Sequence, residues 1–175
     1  VLGNQGSGTT LGTLNLKNIQ SSGKATTLAT LFGNVDSTMS ITTVPTTAPT
    51  TFNELRAGAS FISPALSVND SLGGSHAVTL AFYKTAANTW QTQAYMNGSE
   101  VGGTDGVPVS VGGPVTLAFS SSGSILAADK AAANISAAPN YSGGPAAGQF
   151  TIDLSSFTQF AGTSLINSVS QDGKG

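Results

Sequence analysis

At 175 residues the chain suits a single domain, long enough to bury roughly 70% of its unfolded surface without covalent staples. Charged side chains make up only 8% of it and the formal net charge is −2, whereas an ordinary globular protein is about 25% charged. The absence of cysteine rules out disulfides and thiolate metal sites, and the lack of any Lys/Arg cluster leaves neither nucleic acid nor an anionic membrane surface an electrostatic foothold.

The chain opens VLGNQGSGTT, with neither the charged start nor the apolar stretch of a secretory leader and no initiator methionine, so an excised fragment is expected. No apolar run approaches the ~20 residues that span a bilayer. Leu11 to Ile19 alternates Leu14 and Leu16 with polar neighbours, and Ala25 to Phe32 mixes threonine with aliphatic residues; both read as strands. Thr42 to Thr51 (TTVPTTAPTT) cannot donate a full ladder, which predicts a surface connector or an edge. Residues 52 to 61 suit one helical turn.

Leu66 and Val68 begin an alternation that Asn69, Asp70, Ser71, Gly73 and Gly74 break with turn-forming residues. In the next strand Val78, Leu80 and Phe82 point to one face, and Thr79, Ala81 and Tyr83 to the other. Thr85 to Asn88 turns the chain into a third strand carrying Trp90, completing a β-meander. From Val107 two further strands, VPVSV and VTLAF (Val115 to Phe119), precede a turn at Ser120 to Gly123 and the segment SILAA. Ala127 to Ala133 is the Ala-rich window with helical propensity. A loop with Pro139, Gly143, Gly144 and Pro145 leads to Gln149 to Leu154, where Phe150, Ile152 and Leu154 alternate with polar residues. Strands at such regular spacing predict an all-β domain, an antiparallel β-sandwich or a barrel-like sheet.

Chemistry has little to work with. His76 is the sole histidine, so a metal site would need carboxylates for every other ligand. A triad of Ser71 or Ser75 with His76 and Asp70 can be written down, but neighbours on a turn and a strand point in alternating directions. Asp70 is expected to accept turn amides, and His76 to cap the strand start. The eight acidic residues show no aromatic-rich cleft of the kind sugar hydrolysis needs, and one Trp offers few stacking platforms. A calcium loop would need a spaced Asp/Asn ladder that Asp70 and Asp172-Gly173 do not provide. Trp90 reads as core with Phe82 and Leu80. No catalytic, cofactor or metal residue is assigned.

Val68, Asp70, Ser71, Leu72, Gly73, His76, Val78, Thr79, Leu80, Phe82, Lys84, Thr85, Asn88 and Trp90 fall on a pattern that resembles the outer domain of the bacterial flagellar hook protein. Ala25-Thr26-Thr27 with Gly33 to Ser37 is similar to the start of that domain, and Asn167 to Gly173, including Gln171, Asp172 and Gly173, to its end. The resemblance covers roughly residues 24 to 173. It implies a structural subunit of a helical tube that transmits torque from motor to filament, at the hook outside the cell and attached to the basal body. Residues 1–23 would be a connector or edge strand from an inner domain, 24–173 the outer β domain, and 174–175 the start of the return. An inserted domain should bring its first strand close to its last. The implied partners are other copies of the subunit, without nucleic acid, membrane, cofactor or catalysis, and the fragment alone should be monomeric. Two readings from other classes are an immunoglobulin-like module of a bacterial adhesin or surface protein, and a small hydrolase or sugar-binding domain around Asp70 and His76.

Overall fold

The computed structural model describes residues 2–4, 11–13, 23–146 and 148–175. β1 (Leu2–Asn4) and β2 (Leu11–Thr13) pair antiparallel as a separate two-stranded sheet; the remainder of the strand expected at Leu11 to Ile19 lies outside the described residues. The other strands join one curled sheet of ten.

The centre of that sheet is the meander. β5 (Leu66–Asn69) turns into β6 (Ser75–Ala86), β6 into β7 (Thr89–Asn97), and β7 into β8 (Pro108–Ala118), each pair antiparallel. Alternation places Val78, Leu80 and Phe82 in the main core, where all three are fully buried. The opposite face of β6 is buried as well. Helix α1 (Phe52–Gly58), capped by Thr51 Oγ1 accepting from Glu54 N at 3.1 Å, sets Leu55 against Ala81, Tyr83 and Tyr95. β4 (Phe61–Ile62) shares the outer edge of β6 with β5, and Pro64 lies in the gap between them, where a missing N–H breaks no ladder.

β3 (Leu28–Asp36) organises the other half. It runs parallel to β10 (Phe150–Asp153) and β11 (Thr158–Phe160), and antiparallel to β12 (Leu165–Gln171). β9 (Asn134–Ala137) joins β10 to β8, so the order is β11-β3-β10-β9-β8-β7-β6-β4. The curl brings Leu31, Val35, Ile135, Ile152 and Phe157 against the meander's inner face. Phe82 has ring neighbours in Phe61 at 5.4 Å and Phe157 at 5.3 Å. Each large side chain sealed in this way contributes roughly 1.5–3 kcal/mol.

The all-β fold agrees with the expectation, and the first strand does lie beside the late ones. Details differ. The ladders from β3 to β10 and β11 are parallel rather than antiparallel, because the chain crosses the sheet before returning. The strand expected at Ala25 to Phe32 starts at Leu28 and runs to Asp36, since Thr26 and Thr27 are engaged in side-chain hydrogen bonds. VPVSV and VTLAF are one strand, β8, whose register against β7 shifts opposite Gly112-Gly113-Pro114. The Ala-rich window forms only a 3-10 turn at Lys130–Ala132.

Candidate functional site

The family-pattern residues at the two ends of the chain segment meet at one end of the sheet. Lys24 and Lys174 exchange both backbone hydrogen bonds, at 2.7 and 2.8 Å. Asp172 ties this pair together: Oδ1 accepts from the amides of Thr27 (2.8 Å) and Leu28 (3.0 Å), Oδ2 from Thr27 Oγ1 (2.6 Å) and Lys24 Nζ (3.2 Å). The Thr27 hydroxyl, the two amides and Lys24 hold its carboxyl well below the usual carboxylate range. Gln171 Oε1 accepts from Thr26 Oγ1 and from Gly173 N, both at 2.7 Å, while Gln171 Nε2 donates to Asn69 Oδ1 at 3.3 Å.

The turn between β5 and β6 closes the same end. Gly73 has φ +85°, a conformation that a side chain disfavours, and its backbone lies so close to Gly23 that a Cβ on Gly23 would sit 2.5 Å from Gly73 N. Leu72 projects outward, 71% exposed. Asp70 Oδ1 accepts from the amides of Leu72 (2.7 Å) and Gly74 (2.8 Å), the turn role expected of it.

Asp70 and His76 were expected to point apart; instead His76 Nε2 lies 2.9 Å from Asp70 Oδ2. The alternation rule applies along a strand, and the turn folds Asp70 back over the start of β6. His76 Nδ1 lies 2.9 Å from Glu100 Oε2, and its ring stacks on Tyr141 at 4.1 Å. Burial pushes the Asp70 carboxyl up, but the His76 ring and the two turn amides outweigh it and hold the group below its ordinary value. Burial, with Asp70 and Glu100 nearby, pushes Tyr141 up to about 12. No serine completes a triad among the described residues: Ser71 Oγ accepts from Ala146 N and Ser75 Oγ pairs with Ser67 Oγ. Both imidazole nitrogens face carboxylates at 2.9 Å, so neither is presented to a serine hydroxyl as a general base would be. The same residues contain no group of three His, Cys, Asp or Glu able to hold a metal.

The remaining pattern residues sit along the meander. Val68 and Trp90 are fully buried, Thr79 lies on the face opposite Val78, and Thr85 Oγ1 donates to Thr89 O across the hairpin. Lys84 is buried with Nζ donating to the carbonyls of Ser37 and Met39, so it pins the segment after β3. Trp90 Nε1 donates to Gln159 Oε1 at 2.6 Å, and Gln159 Nε2 reaches Asn88 Oδ1 at 3.0 Å. Sequence reasoning missed Glu100, Tyr141 and Gln159, which reach these sites only through the tertiary fold.

A family model described as the flagellar basal body protein FlaE D2 domain matches residues 34–174. The chain belongs to that family. The match takes in the Asp70 turn, His76, Trp90 and the Gln171-Asp172-Gly173 clamp, and leaves out Ala25 to Thr27. A search of curated proteins found no match. Among solved structures, a 32 kDa fragment of the flagellar hook protein FlgE from Caulobacter crescentus is similar, with a TM-score of 0.50 and 18% identity, over 65% of this chain and 46% of that one. At that identity the likeness is one of fold, and this FlaE D2 chain spans less than half of the fragment's length.

Proposed function

We propose that the chain is the outer domain of a bacterial flagellar hook subunit, a structural part of the flexible tube that passes torque from motor to filament. Membership of the FlaE D2 family carries this reading. Support comes from the shared end of the domain, where Lys24 pairs with Lys174 and Asp172 bonds to Thr27 and Leu28, the geometry an inserted domain needs. In this reading residues 24–173 form the outer domain, 1–23 and 174–175 lead from and to an inner one, and the partners are copies of the same subunit outside the cell. The domain does no catalysis; its work is contact. A chain with only 8% charged residues suits contacts that slide and re-form, since few desolvated ion pairs must be broken as neighbours shift.

Two experiments test the proposal. Light scattering at tens of micromolar should find the isolated chain monomeric, because weak lateral contacts matter only at the high local concentration of a polymer. A stable closed dimer or trimer would mark a dedicated oligomeric module instead. Removing residues 24–173 from the full-length gene should leave tubes that still form but are straighter or mechanically altered. Complete loss of assembly by a folded remainder would make this domain a principal polymer contact, contrary to the weak, sliding contacts proposed for it.

A further inference from the structure

His76 is placed between two carboxylates, each 2.9 Å from a different ring nitrogen. A neutral imidazole has one N–H and one lone pair, so it can satisfy only one of them; both bonds require the imidazolium. The groups facing the ring are Asp70 from the β5–β6 turn, Glu100 from the 3-10 turn Gly98–Glu100, and Tyr141 from the loop after β9.

The two carboxylates are not equally held. The Asp70 side chain is 5% exposed and its other oxygen is fixed by the Leu72 and Gly74 amides, so swinging it away would strand those two donors. The Glu100 side chain is 27% exposed and has an open groove of about 220 Å³ beside it, lined by Ala65, Leu66, Ser67, Ser75 and Ala77. Glu100 can move into water at little cost. Its backbone carbonyl accepts from Ser142 N at 2.7 Å, and Ser142 Oγ accepts from Gly102 N at 2.7 Å, so the 98–102 turn and the Tyr141–Ser142 loop are held together.

We infer that His76 is a proton-controlled latch: as the imidazolium it ties the Glu100 turn and the Tyr141 loop to the Asp70 turn, and on losing its Nδ1 proton it keeps Asp70 and releases Glu100. The proton leaves to solvent through the groove beside Glu100. The end of the domain where the chain enters and leaves thereby loosens on one side as pH rises. This goes beyond the hook reading and does not depend on it.

The test uses the whole 175-residue chain labelled with 15N, in which His76 is the sole imidazole. Nitrogen NMR is followed from about pH 5 to about pH 8. At the low end both ring nitrogens should be protonated. On raising the pH, Nδ1 should lose its proton while Nε2 keeps its own. The amides of Gly102 and Ser142 should shift with the same midpoint, as the turn and loop they join move together, while those of Leu72 and Gly74 stay put. Glu100→Gln, at a partly exposed site, should fold and abolish the Gly102 and Ser142 response. A single neutral tautomer throughout, loss of the Nε2 proton instead, movement of Leu72 and Gly74 with the ring, or an unchanged response in E100Q would each overturn the latch.

Discussion

Replacing Gln159 with leucine roughly keeps the side-chain size and removes the acceptor for the indole of Trp90, the largest fully buried side chain among the described residues. With Trp90 wholly out of solvent, its Nε1 has no water to turn to, and an orphaned buried donor costs about 1–3 kcal/mol. The bonds from Gln159 Nε2 to Ala87 O and Asn88 Oδ1 are lost too, but both acceptors belong to exposed turn residues and can turn to water, so they add roughly 0.5 kcal/mol. Q159L should therefore destabilise the domain by about 1.5–3.5 kcal/mol, which lowers Tm by roughly 3–14 °C for a chain of this size. Trp90→Phe removes the donor instead and leaves a small cavity. In the double variant no polar atom of the pair is orphaned, so its loss should fall short of the sum of the singles by about 1–2 kcal/mol. Urea unfolding of all four proteins, followed by circular dichroism, measures the cycle. A cost below about 0.5 kcal/mol for Q159L, or additivity within about 0.3 kcal/mol, would show that the indole bond does not stabilise the fold.

Gly73→Ala, at φ +85° and against the Gly23 backbone, should cost about 1–2 kcal/mol in chemical denaturation, and a neutral result would mean the turn relaxes freely. Asp172→Asn should lower the melting temperature and speed exchange at the Thr27 and Leu28 amides. Because the folded carboxyl titrates below its unfolded value, the stability it adds is present above about pH 4 and lost as pH falls, so wild type and D172N should converge in acid; a gap that widens there would contradict this. Lys84→Met should cost about 1.5–3 kcal/mol and free the Ser37–Met39 backbone, read as faster amide exchange at Met39.

The meander was legible because its signal is local. Turn formers at Asn69 to Gly74 and strict alternation through Val78, Leu80 and Phe82 leave one arrangement that buries the apolar set. β9 was invisible for the opposite reason: Asn134-Ile135-Ser136-Ala137 has little strand propensity, and its ladder with β10 comes from a segment 13 to 19 residues further on. The Ala-rich window before it is too short to nucleate a helix, and only a 3-10 turn remains. Ala25 to Thr27 looked like strand because threonine favours strands, yet Thr26 and Thr27 spend their hydroxyls on Gln171 and Asp172, partners some 145 residues away. The His76 cluster was half legible. Asp70 as a turn acceptor follows from its place before Ser71-Leu72-Gly73, whereas Glu100 and Tyr141 reach the ring only once β7 and the post-β9 loop have folded around it.

The pairing of Lys24 with Lys174 gives the domain a direction of mechanical weakness. Tension applied through the two ends of the chain meets the antiparallel β3–β12 ladder at its open end, so the bonds from Lys174 through Gln171 to Leu165 come under load in sequence, as in a zip. Such a ladder yields at low force, and β12, paired on one side only, peels away while β3 stays held by β10 and β11. Pressure from the flanks meets a different object, because it is spread over all ten strands and the shared core at once. The domain is soft when pulled by its own chain and stiff when pushed by a neighbour.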